Sequence, residues 1–293
     1  MPRIGAHMSI VGGLPRAVDR AALHGCEALQ IFTKSAGQWR ARPLPKTEIA
    51  AFRRRVEETG IHPVVAHASY LINLAARDER LRQQSMDSLV EELDRVEALG
   101  LAGLVLHPGA CTGGPDEQGL DLVAQSLREV LKRRPRRRGR VLLEHTAGQG
   151  TSLGRTFEQL AHIVAGVNGS PRVGVWLDTC HLLAAGYDIV SEEGYRDTFT
   201  YFGALVGFER LYGFHMNDSK KPLGSRVDRH THIGDGHIGR TAFARLLHDV
   251  RFASLPMILE TEKAEHGPRE RVVLDALDAR NLGTLRELLV SSP

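Results

Sequence analysis

Short apolar segments alternate with longer amphipathic segments along the whole chain, and polar loops separate them. Runs such as Leu104–Leu106 and Val141–Leu143 are continuously apolar, which is typical of strands buried on both faces of a parallel sheet. The segment Arg77–Leu99 instead places its apolar residues at helical spacing, and Gly100 follows it as a helix stop. This alternation predicts a parallel sheet whose strands are connected by helices.

Eight predicted strands alternate with eight predicted helices, which favours a single (β/α)₈ TIM barrel domain over residues 1–293 with its active site at the C-terminal ends of the strands. A doubly wound open sheet is the alternative, but no Gly-x-Gly-x-x-Gly follows the first strand. The predicted strands are about Arg3–His7, Ala28–Thr33, Pro63–Ser69, Leu104–Pro108, Val141–His145, Val173–Asp178, Leu211–Asn217 and Pro256–Thr261. The predicted helices are about Gly13–His24, Thr47–Gly60 with Thr47 as N-cap, Arg77–Leu99, Leu120–Arg133, Thr156–Val167, Tyr195–Phe208, Thr241–Val250 and Arg269–Leu289.

The composition agrees with such a barrel. The chain has 293 residues, of which 42% are hydrophobic and 25% charged, and this excludes a disordered, collagen-like or coiled-coil protein. No apolar run approaches the roughly 20 residues that span a bilayer, and no signal peptide precedes the first strand, so we expect no membrane partner. The three cysteines form no Cys-x-x-Cys pair, and therefore we expect a cytoplasmic protein without a disulfide framework.

Most of the predicted strands are apolar until they end at histidine, aspartate or glutamate. One such residue is better explained as a satisfied core group or a helix N-cap, but six consecutive strands show the same pattern. Buried carboxylates and imidazoles are costly when unpaired, so a ring of them needs a common partner, which cations supply. The strand-end residues are His7, His67, His107, Glu144, Asp178, His215 and Glu260.

Two further clusters extend this set. Asp178-Thr179-Cys180-His181 places an imidazole just beyond a strand end, and Asp228-Arg229-His230 alternates acid and imidazole. Cys180 stands between two candidate ligands, and we interpret it as a packing residue. The candidate metal ligands are His67, His107, Glu144, Asp178, His181, His215, Asp228, His230 and Glu260. They are too many for one tetrahedral ion, and mixed imidazole and carboxylate favours zinc, with manganese second.

Several motifs are individually specific, and together they run nearly from end to end of the chain. On these motifs the sequence resembles endonuclease IV, the family of zinc-dependent apurinic/apyrimidinic (AP) endonucleases of base excision repair. The motifs are Ile4-Gly5-Ala6-His7, Phe32-Thr33-Lys34, Gln38-Trp39-Arg40, His67-Ala68-Ser69-Tyr70-Leu71-Ile72-Asn73-Leu74, His107-Pro108-Gly109, Glu144-His145-Thr146-Ala147-Gly148-Gln149-Gly150, Asp178-Thr179-Cys180-His181, His215-Met216-Asn217-Asp218-Ser219-Lys220, Gly224-Ser225-Arg226-Val227-Asp228-Arg229-His230 and Leu259-Glu260-Thr261.

The resemblance implies three Zn²⁺ per chain, with Mn²⁺ possible at one position. It assigns the first ion to His67, His107 and Glu144, the second to Glu144, Asp178, His215 and Glu260, and the third to His181, Asp228 and His230. It implies catalytic roles for Glu144, which would bridge two ions, and for Glu260, which would orient the nucleophile. A hydroxide would attack the phosphorus 5′ to an abasic nucleotide and leave a 3′-hydroxyl and a 5′-deoxyribose phosphate.

The resemblance also implies double-stranded DNA with abasic sites or blocked 3′ ends as the partner of a monomeric enzyme. Gln38, Trp39, Arg40, Tyr70 and Leu71 would enter the minor groove and help to flip the abasic sugar, and Lys220, Arg226 and Arg229 would contact phosphates. The sequence departs from the family pattern at Gly37, Ala68 and His145, which puts the grip on DNA in doubt more than the chemistry.

Two other functions fit a barrel of this kind. A metal-dependent sugar isomerase or epimerase is the alternative enzyme, although that class uses two metals and leaves the third cluster without a role. A protein that binds DNA lesions without catalysis is the other alternative, although it would not need a full ligand set. The basic run Lys132–Arg140 lies between a helix and the next strand, so we expect it at the opposite end of the barrel as a solvated surface.

Overall fold

A computed structural model describes residues 1–135, 138–264 and 271–291. Eight parallel strands close into a barrel, which confirms the predicted TIM barrel, and a separate pair of two-residue strands, β8 and β9, forms an antiparallel ribbon. The strands are β1 (Arg3–His7), β2 (Ala28–Phe32), β3 (Val64–His67), β4 (Leu104–Leu106), β5 (Val141–Glu144), β6 (Val173–Asp178), β7 (Leu211–His215), β8 (Asp218–Ser219), β9 (His230–Thr231) and β10 (Pro256–Leu259). The barrel order is β1-β2-β3-β4-β5-β6-β7-β10, with β10 pairing back onto β1.

Helices surround the barrel, and nine of them lie within the described residues. They are α1 (Leu14–Leu23), α2 (Lys46–Thr59), α3 (Glu79–Leu99), α4 (Asp116–Arg133), α5 (Phe157–Gly166), α6 (Thr179–Ala185), α7 (Glu192–Leu205), α8 (Gly239–His248) and α9 (Ala276–Val290). The predicted stops at Gly60 and Gly100 are confirmed, because both glycines take left-handed backbone angles at helix ends.

Several predicted helices begin at other residues in the structure; α4, for example, begins at Asp116 after Pro115 and not at Leu120. Helix α2 begins at Lys46 after Pro45, so the prediction of Thr47 as its N-cap was wrong. Helix α7 begins at Glu192 because Ser191 accepts a hydrogen bond from the amide of Gly194, whereas the sequence predicted a start at Tyr195. Helix α9 begins at Ala276 after its cap residue Asp275, so the prediction of helix over residues 271–275 was wrong, and residues 265–270, where the predicted last helix begins, lie outside the described residues.

The barrel interior is filled below its C-terminal mouth by a compact apolar layer. Alternate residues of a strand point to the same face, so each of these apolar side chains lies two residues before a polar side chain at the mouth. The layer contains Ala28, Val65, Val105, Leu142, Trp176 and Ile258, all buried. Gly213 faces the Trp176 ring so closely that a Cβ atom would collide with it. The filled interior leaves the mouth as the place where polar groups converge.

A larger apolar layer lies between the barrel and the helices and includes the buried Phe157, Phe199, Phe202, Phe214 and Phe252. Cys26, Cys111 and Cys180 are buried and free. Through the described ranges of the chain, none of the helices combines the length and the apolar character needed to cross a membrane.

Candidate metal centre

The carboxyl ends of the barrel strands bring the predicted ligands to one mouth. His67, Glu144, Asp178 and His215 are the last residues of β3, β5, β6 and β7, and His107 and Glu260 directly follow β4 and β10. His181 lies on α6, Asp228 precedes β9 and His230 begins it. Nitrogen and oxygen atoms of these side chains lie within 4.8 Å of one another in several groups that could hold an ion.

Glu144 is fully buried at the centre of this arrangement. Its Oε2 lies 3.2 Å from Nε2 of His67 and 2.9 Å from Nε2 of His107. Its Oε1 lies 2.8 Å from Nδ1 of His215 and 3.6 Å from Nδ1 of His181. The two oxygens of one carboxylate therefore face two different sets of imidazoles, which is the arrangement expected of a bridging ligand.

A second group forms around His215. Its Nδ1 lies 3.2 Å from Oε2 of Glu260 and 3.8 Å from Oδ2 of Asp178, in addition to the contact with Glu144. The side chain of the buried Asn217 donates to the carboxylate of Asp178 across 2.6 Å and accepts from the backbone amide of Glu260 across 2.9 Å, so it orients the first carboxylate and holds the backbone at the second. This group brings together the four residues predicted for one ion.

The third group lies over α6 and the β8–β9 ribbon. Asp228 places Oδ2 3.3 Å from Nε2 of His181 and Oδ1 3.2 Å from Nε2 of His230. Two overlapping sets could hold an ion here, one with Asp178 joining the two imidazoles and one with Cys180 joining Asp228 and His230. Cys180 was interpreted as packing, and the structure adds it to this group of possible ligands because α6 turns its buried side chain toward the ribbon.

The electrostatics of the centre follow from the dense packing of opposite charges. Burial alone would raise the pKa of Glu144, but adjacent histidines hold that pKa well below its usual range, and the pKa of Glu260 and of Asp228 is lowered in the same way. Burial would lower the pKa of His67 and of His230, but neighbouring carboxylates raise both to about 9.

The donor set fits divalent metal ions. Within the described residues, every ion pair of Glu144, Asp178, Asp228 and Glu260 is made with a histidine, and neither lysine nor arginine neutralises these carboxylates. Nε2 of His230 is buried without a hydrogen-bond partner and faces two carboxylates. A mixed set of nitrogen and oxygen atoms around such a centre suits zinc or manganese.

The sequence interpretation missed two buried polar residues that contact this centre. Gln30, in β2, is fully buried and reaches His7, His215 and Glu260. Asn217 orients the carboxylate of Asp178 and holds the backbone of Glu260. For Gln30, the available signal was a glutamine within an otherwise apolar predicted strand. Asn217 is the last residue of a predicted strand, and the sequence indicates it only as part of the motif His215-Met216-Asn217-Asp218-Ser219-Lys220.

The residues predicted to contact DNA lie on loops around the same mouth. Tyr70 is 66% exposed, and its ring centroid lies 5.3 Å from that of His67. Gln38, Trp39 and Arg40 lie between β2 and α2, Leu71 follows Tyr70, and Lys220, Arg226 and Arg229 lie on the connection between β7 and α8. The structure brings these eight residues to one end of the barrel, and their contact with DNA stays a prediction.

The basic run Lys132–Arg140 lies at the other end, between α4 and β5. Residues 136–137 of this run lie outside the described residues. The expectation of a solvated surface is wrong for Arg134. Its side chain is buried, and its Nη2 lies 2.8 Å from Oδ1 of Asp94. Lys132, Arg138 and Arg140 are exposed.

Fold and site agree with one class of known proteins. The family described as "Xylose isomerase-like TIM barrel" matches residues 18–281. The chain is thus a TIM-barrel protein of the xylose isomerase-like class, with a candidate metal centre at the mouth of the barrel.

Comparison with individual proteins identifies the family within this class. The chain is 48% identical over 289 residues to "Probable endonuclease 4" of Chloroflexus aurantiacus, with 99% of each chain covered. The crystal structure of endonuclease IV from Thermus thermophilus superposes with a TM-score of 0.84 at 38% identity and covers 98% of this chain and 99% of that one. The chain therefore belongs to the endonuclease IV family, which confirms the predicted AP endonuclease, a hydrolase of base excision repair.

A more distant likeness shows the fold alone. The structure of a D-psicose 3-epimerase superposes with a TM-score of 0.69 at 16% identity and covers 99% of this chain and 100% of that one. Sugar epimerases thus share the barrel, and the family assignment depends on the more similar endonucleases.

Proposed function

We propose that this protein hydrolyses the DNA phosphodiester on the 5′ side of an abasic nucleotide and releases a 3′-hydroxyl and a 5′-deoxyribose phosphate. The observation that carries the proposal is the convergence of nine imidazole and carboxylate side chains at one barrel mouth. Membership of the endonuclease IV family supports DNA as the substrate. Removal of groups that block 3′ ends uses the same phosphodiester chemistry, and we include it in the proposed activity.

We assign three zinc ions to the centre, with manganese acceptable at one position. The first ion would be held by His67, His107 and Glu144, the second by Glu144, Asp178, His215 and Glu260, and the third by His181, Asp228 and His230. When bound, such ions polarise phosphoryl oxygens and offset the negative charge that develops during in-line displacement.

The side chains of this protein arrange the reacting groups. Glu144 ties two ion positions together because its two oxygens face different imidazoles. Glu260 is held by Gln30 and His7 through Oε1, and its Oε2, which lies 3.2 Å from Nδ1 of His215, faces the centre, where it would orient the attacking water. The four carboxylates offset most of the charge of three divalent ions, and this balance suits a single phosphodiester.

We assign recognition of the lesion to the exposed loops at the mouth. Tyr70, Leu71, Gln38, Trp39 and Arg40 enter the minor groove and hold the flipped abasic sugar over the centre. Lys220, Arg226 and Arg229 contact the phosphates on the other side of the mouth. We further propose that the enzyme acts in the cytoplasm as a monomer and that residues 1–293 form its single barrel domain.

Incision of a defined duplex tests the proposal. An end-labelled duplex with one abasic analogue is incubated with the zinc-loaded enzyme, beside an undamaged duplex and a sample treated with a chelator. We expect one cut just 5′ of the lesion with a 3′-hydroxyl product, no cut in the undamaged duplex, and recovery of the chelated sample on addition of zinc. Absence of cleavage by fully metallated enzyme would contradict the proposal and would favour a sugar isomerase or epimerase.

A further inference from the structure

Gln30 occupies an unusual position for an uncharged polar residue. It is fully buried in β2, on the inner face of the barrel, two residues after Ala28 of the apolar layer. Its amide group lies between β1, β7 and β10, where it reaches three residues of the mouth. The proposed mechanism uses the contact of Gln30 with Glu260 and gives no role to its contact with His215.

The contacts of Gln30 use the whole amide group. Its Oε1 lies 2.8 Å from Nε2 of His215. Its Nε2 lies 2.9 Å from Nδ1 of His7 and donates a second hydrogen bond to Oε1 of Glu260. An amide has two donor hydrogens and one acceptor oxygen, so both hydrogens and the oxygen are engaged.

The carboxylate of Glu260 determines which way this amide points. An ionised carboxylate only accepts hydrogen bonds, so the NH₂ group of Gln30 must face Glu260 and the oxygen must face His215. A flipped amide would place an oxygen against the carboxylate and an NH₂ group against the imidazole. Because Oε1 of Gln30 can only accept, Nε2 of His215 must carry the hydrogen.

The other ring nitrogen of His215 then faces the candidate ligands. Its Nδ1 lies 2.8 Å from Glu144, 3.2 Å from Glu260 and 3.8 Å from Asp178. Metal-binding histidines commonly donate their second ring N–H to a carbonyl or carboxylate oxygen, which fixes the tautomer and the ring orientation.

We infer that Gln30 is a positioning residue for the metal centre: it holds His215 in the Nε2–H tautomer, with Nδ1 as the metal-binding atom, and at the same time fixes Glu260. This inference rests on the proposed metal centre. It predicts that Gln30 acts through the two ligands and touches neither the ions nor the DNA.

Replacement of Gln30 by methionine tests this role, because methionine keeps the side-chain volume and removes all three hydrogen bonds. Zinc affinity is measured by competition with a chromogenic chelator. We expect Gln30→Met to weaken zinc binding by about 10- to 100-fold, the usual effect of losing such a partner.

Gln159→Met is the matched control. Gln159 is also a buried glutamine, and its side chain accepts from the amide of Gly154 and donates to Asp116, away from the metal centre. We expect this variant to lose stability without losing zinc affinity. Equal zinc affinity in Gln30→Met and the wild-type protein would overturn the inference, while failure of the wild-type protein to bind zinc would overturn the metal centre itself.

The tautomer can be read in the wild-type protein, so the inference remains testable even if Gln30→Met does not fold. NMR spectra of zinc-loaded protein with ¹⁵N-labelled histidine distinguish a metal-bound Nδ1 from a metal-bound Nε2, and the His215→Asn spectrum assigns the signal. We expect a protonated Nε2 on His215, protected from exchange with solvent. A metal-bound Nε2 on His215 would contradict the assignment to Gln30.

Discussion

Asp178 shows how one residue can serve both the fold and the site. It ends β6, and its Oδ1 accepts a hydrogen bond from the amide of His181. This hydrogen bond caps the first turn of α6. Its Oδ2 faces His215 and His230. The cap thus fixes the position of His181 relative to the carboxylate, and the Asp-Thr-Cys-His sequence brings three possible ligands, Asp178, Cys180 and His181, to one strand end.

The bridging position of Glu144 gives the first prediction. Glu144→Gln removes the negative charge that faces imidazoles of two ion positions, so we expect metal and activity to be lost together. Metal content is measured by mass spectrometry and incision on the abasic duplex, and the rate should fall by more than about 100-fold. Glu129→Gln, on the exposed face of α4, is the control that should keep both. Full metal content and activity in Glu144→Gln would refute the bridging role.

The metal-free protein should become less stable as the pH rises from 7 to 9. His67 and His230 have pKa values raised to about 9 by neighbouring carboxylates, against about 6.5 in an unfolded chain. A raised folded pKa stabilises the protein fully below the unfolded value, and this stabilisation is lost as the pH rises through about 9. Urea unfolding of the metal-free protein should therefore give a lower free energy of unfolding at pH 9 than at pH 7. A higher value at pH 9 would show that these imidazoles are not charged in the folded state.

The sequence predicted which imidazole and carboxylate side chains gather at the mouth better than it predicted the residues that support them; their role as metal ligands stays a prediction. Histidine, aspartate and glutamate after apolar strands form a recognisable pattern, and the structure brings all nine candidates to one mouth. Gln30 could not be assigned from sequence, because its partner His215 lies 185 positions away and the pairing depends on barrel closure. The role of Cys180 depends on how α6 turns its side chain, which sequence spacing does not fix.

At the level of elements, a buried ion pair connects two loops of the mouth to α3. Lys34 donates to the carbonyl of Trp39 and to Ser88, and its Nζ lies 3.5 Å from Oε1 of Glu92. Glu92 also accepts from the amide of Ser69, just before Tyr70. Both charged side chains are buried, so the pair holds the β2–α2 and β3–α3 loops against one helix.

Breaking this pair should weaken both stability and the grip on DNA. Glu92→Gln leaves the Lys34 ammonium buried and unpaired, which should cost about 3–5 kcal/mol of unfolding free energy. The KM for the abasic duplex should rise, because Trp39 and Tyr70 lie on the loops that the pair holds. Urea unfolding and steady-state incision measure the two effects.

The double variant Lys34→Met with Glu92→Leu separates the effect on stability from the effect on KM. It removes both buried charges and should recover most of the stability, since an apolar pair of similar volume is often as stable as an ion pair. It removes the hydrogen bond from Lys34 to the carbonyl of Trp39, so KM should stay high. A wild-type KM in Glu92→Gln would show that the pair does not position the loops.

The elements missed by sequence interpretation were the shortest ones. Helix α6 has 7 residues, too few for a periodic apolar pattern, and only its cap residue Asp178 could have indicated it. In the β8–β9 ribbon, Asp218–Ser219 pairs with His230–Thr231 across a long connection. No feature of the local sequence indicates such pairing. The eight barrel strands were predictable because continuous apolar runs and intervening helices repeat regularly.

At the scale of the whole molecule, the barrel separates the proposed DNA surface from the basic run Lys132–Arg140. Lys132 and Arg138 are exposed at the end of the barrel opposite the mouth, so Lys132→Gln with Arg138→Gln should leave incision nearly unchanged. Lys220→Gln with Arg226→Gln removes the same charge at the mouth and should raise KM for the duplex. The two double variants are compared by steady-state incision at one salt concentration, because contacts with DNA phosphates weaken as salt increases. A large loss of activity in the first pair would overturn the proposed orientation of DNA on the barrel.

Metal stoichiometry tests the central claim most directly. Metal-free protein is titrated with zinc, and bound ions per chain are counted by native mass spectrometry while incision of the abasic duplex is measured on the same samples. The proposed centre predicts that incision reaches its maximum when three zinc ions are bound per chain. Full incision with two ions or fewer, or a chain that binds three and does not cut the duplex, would contradict it.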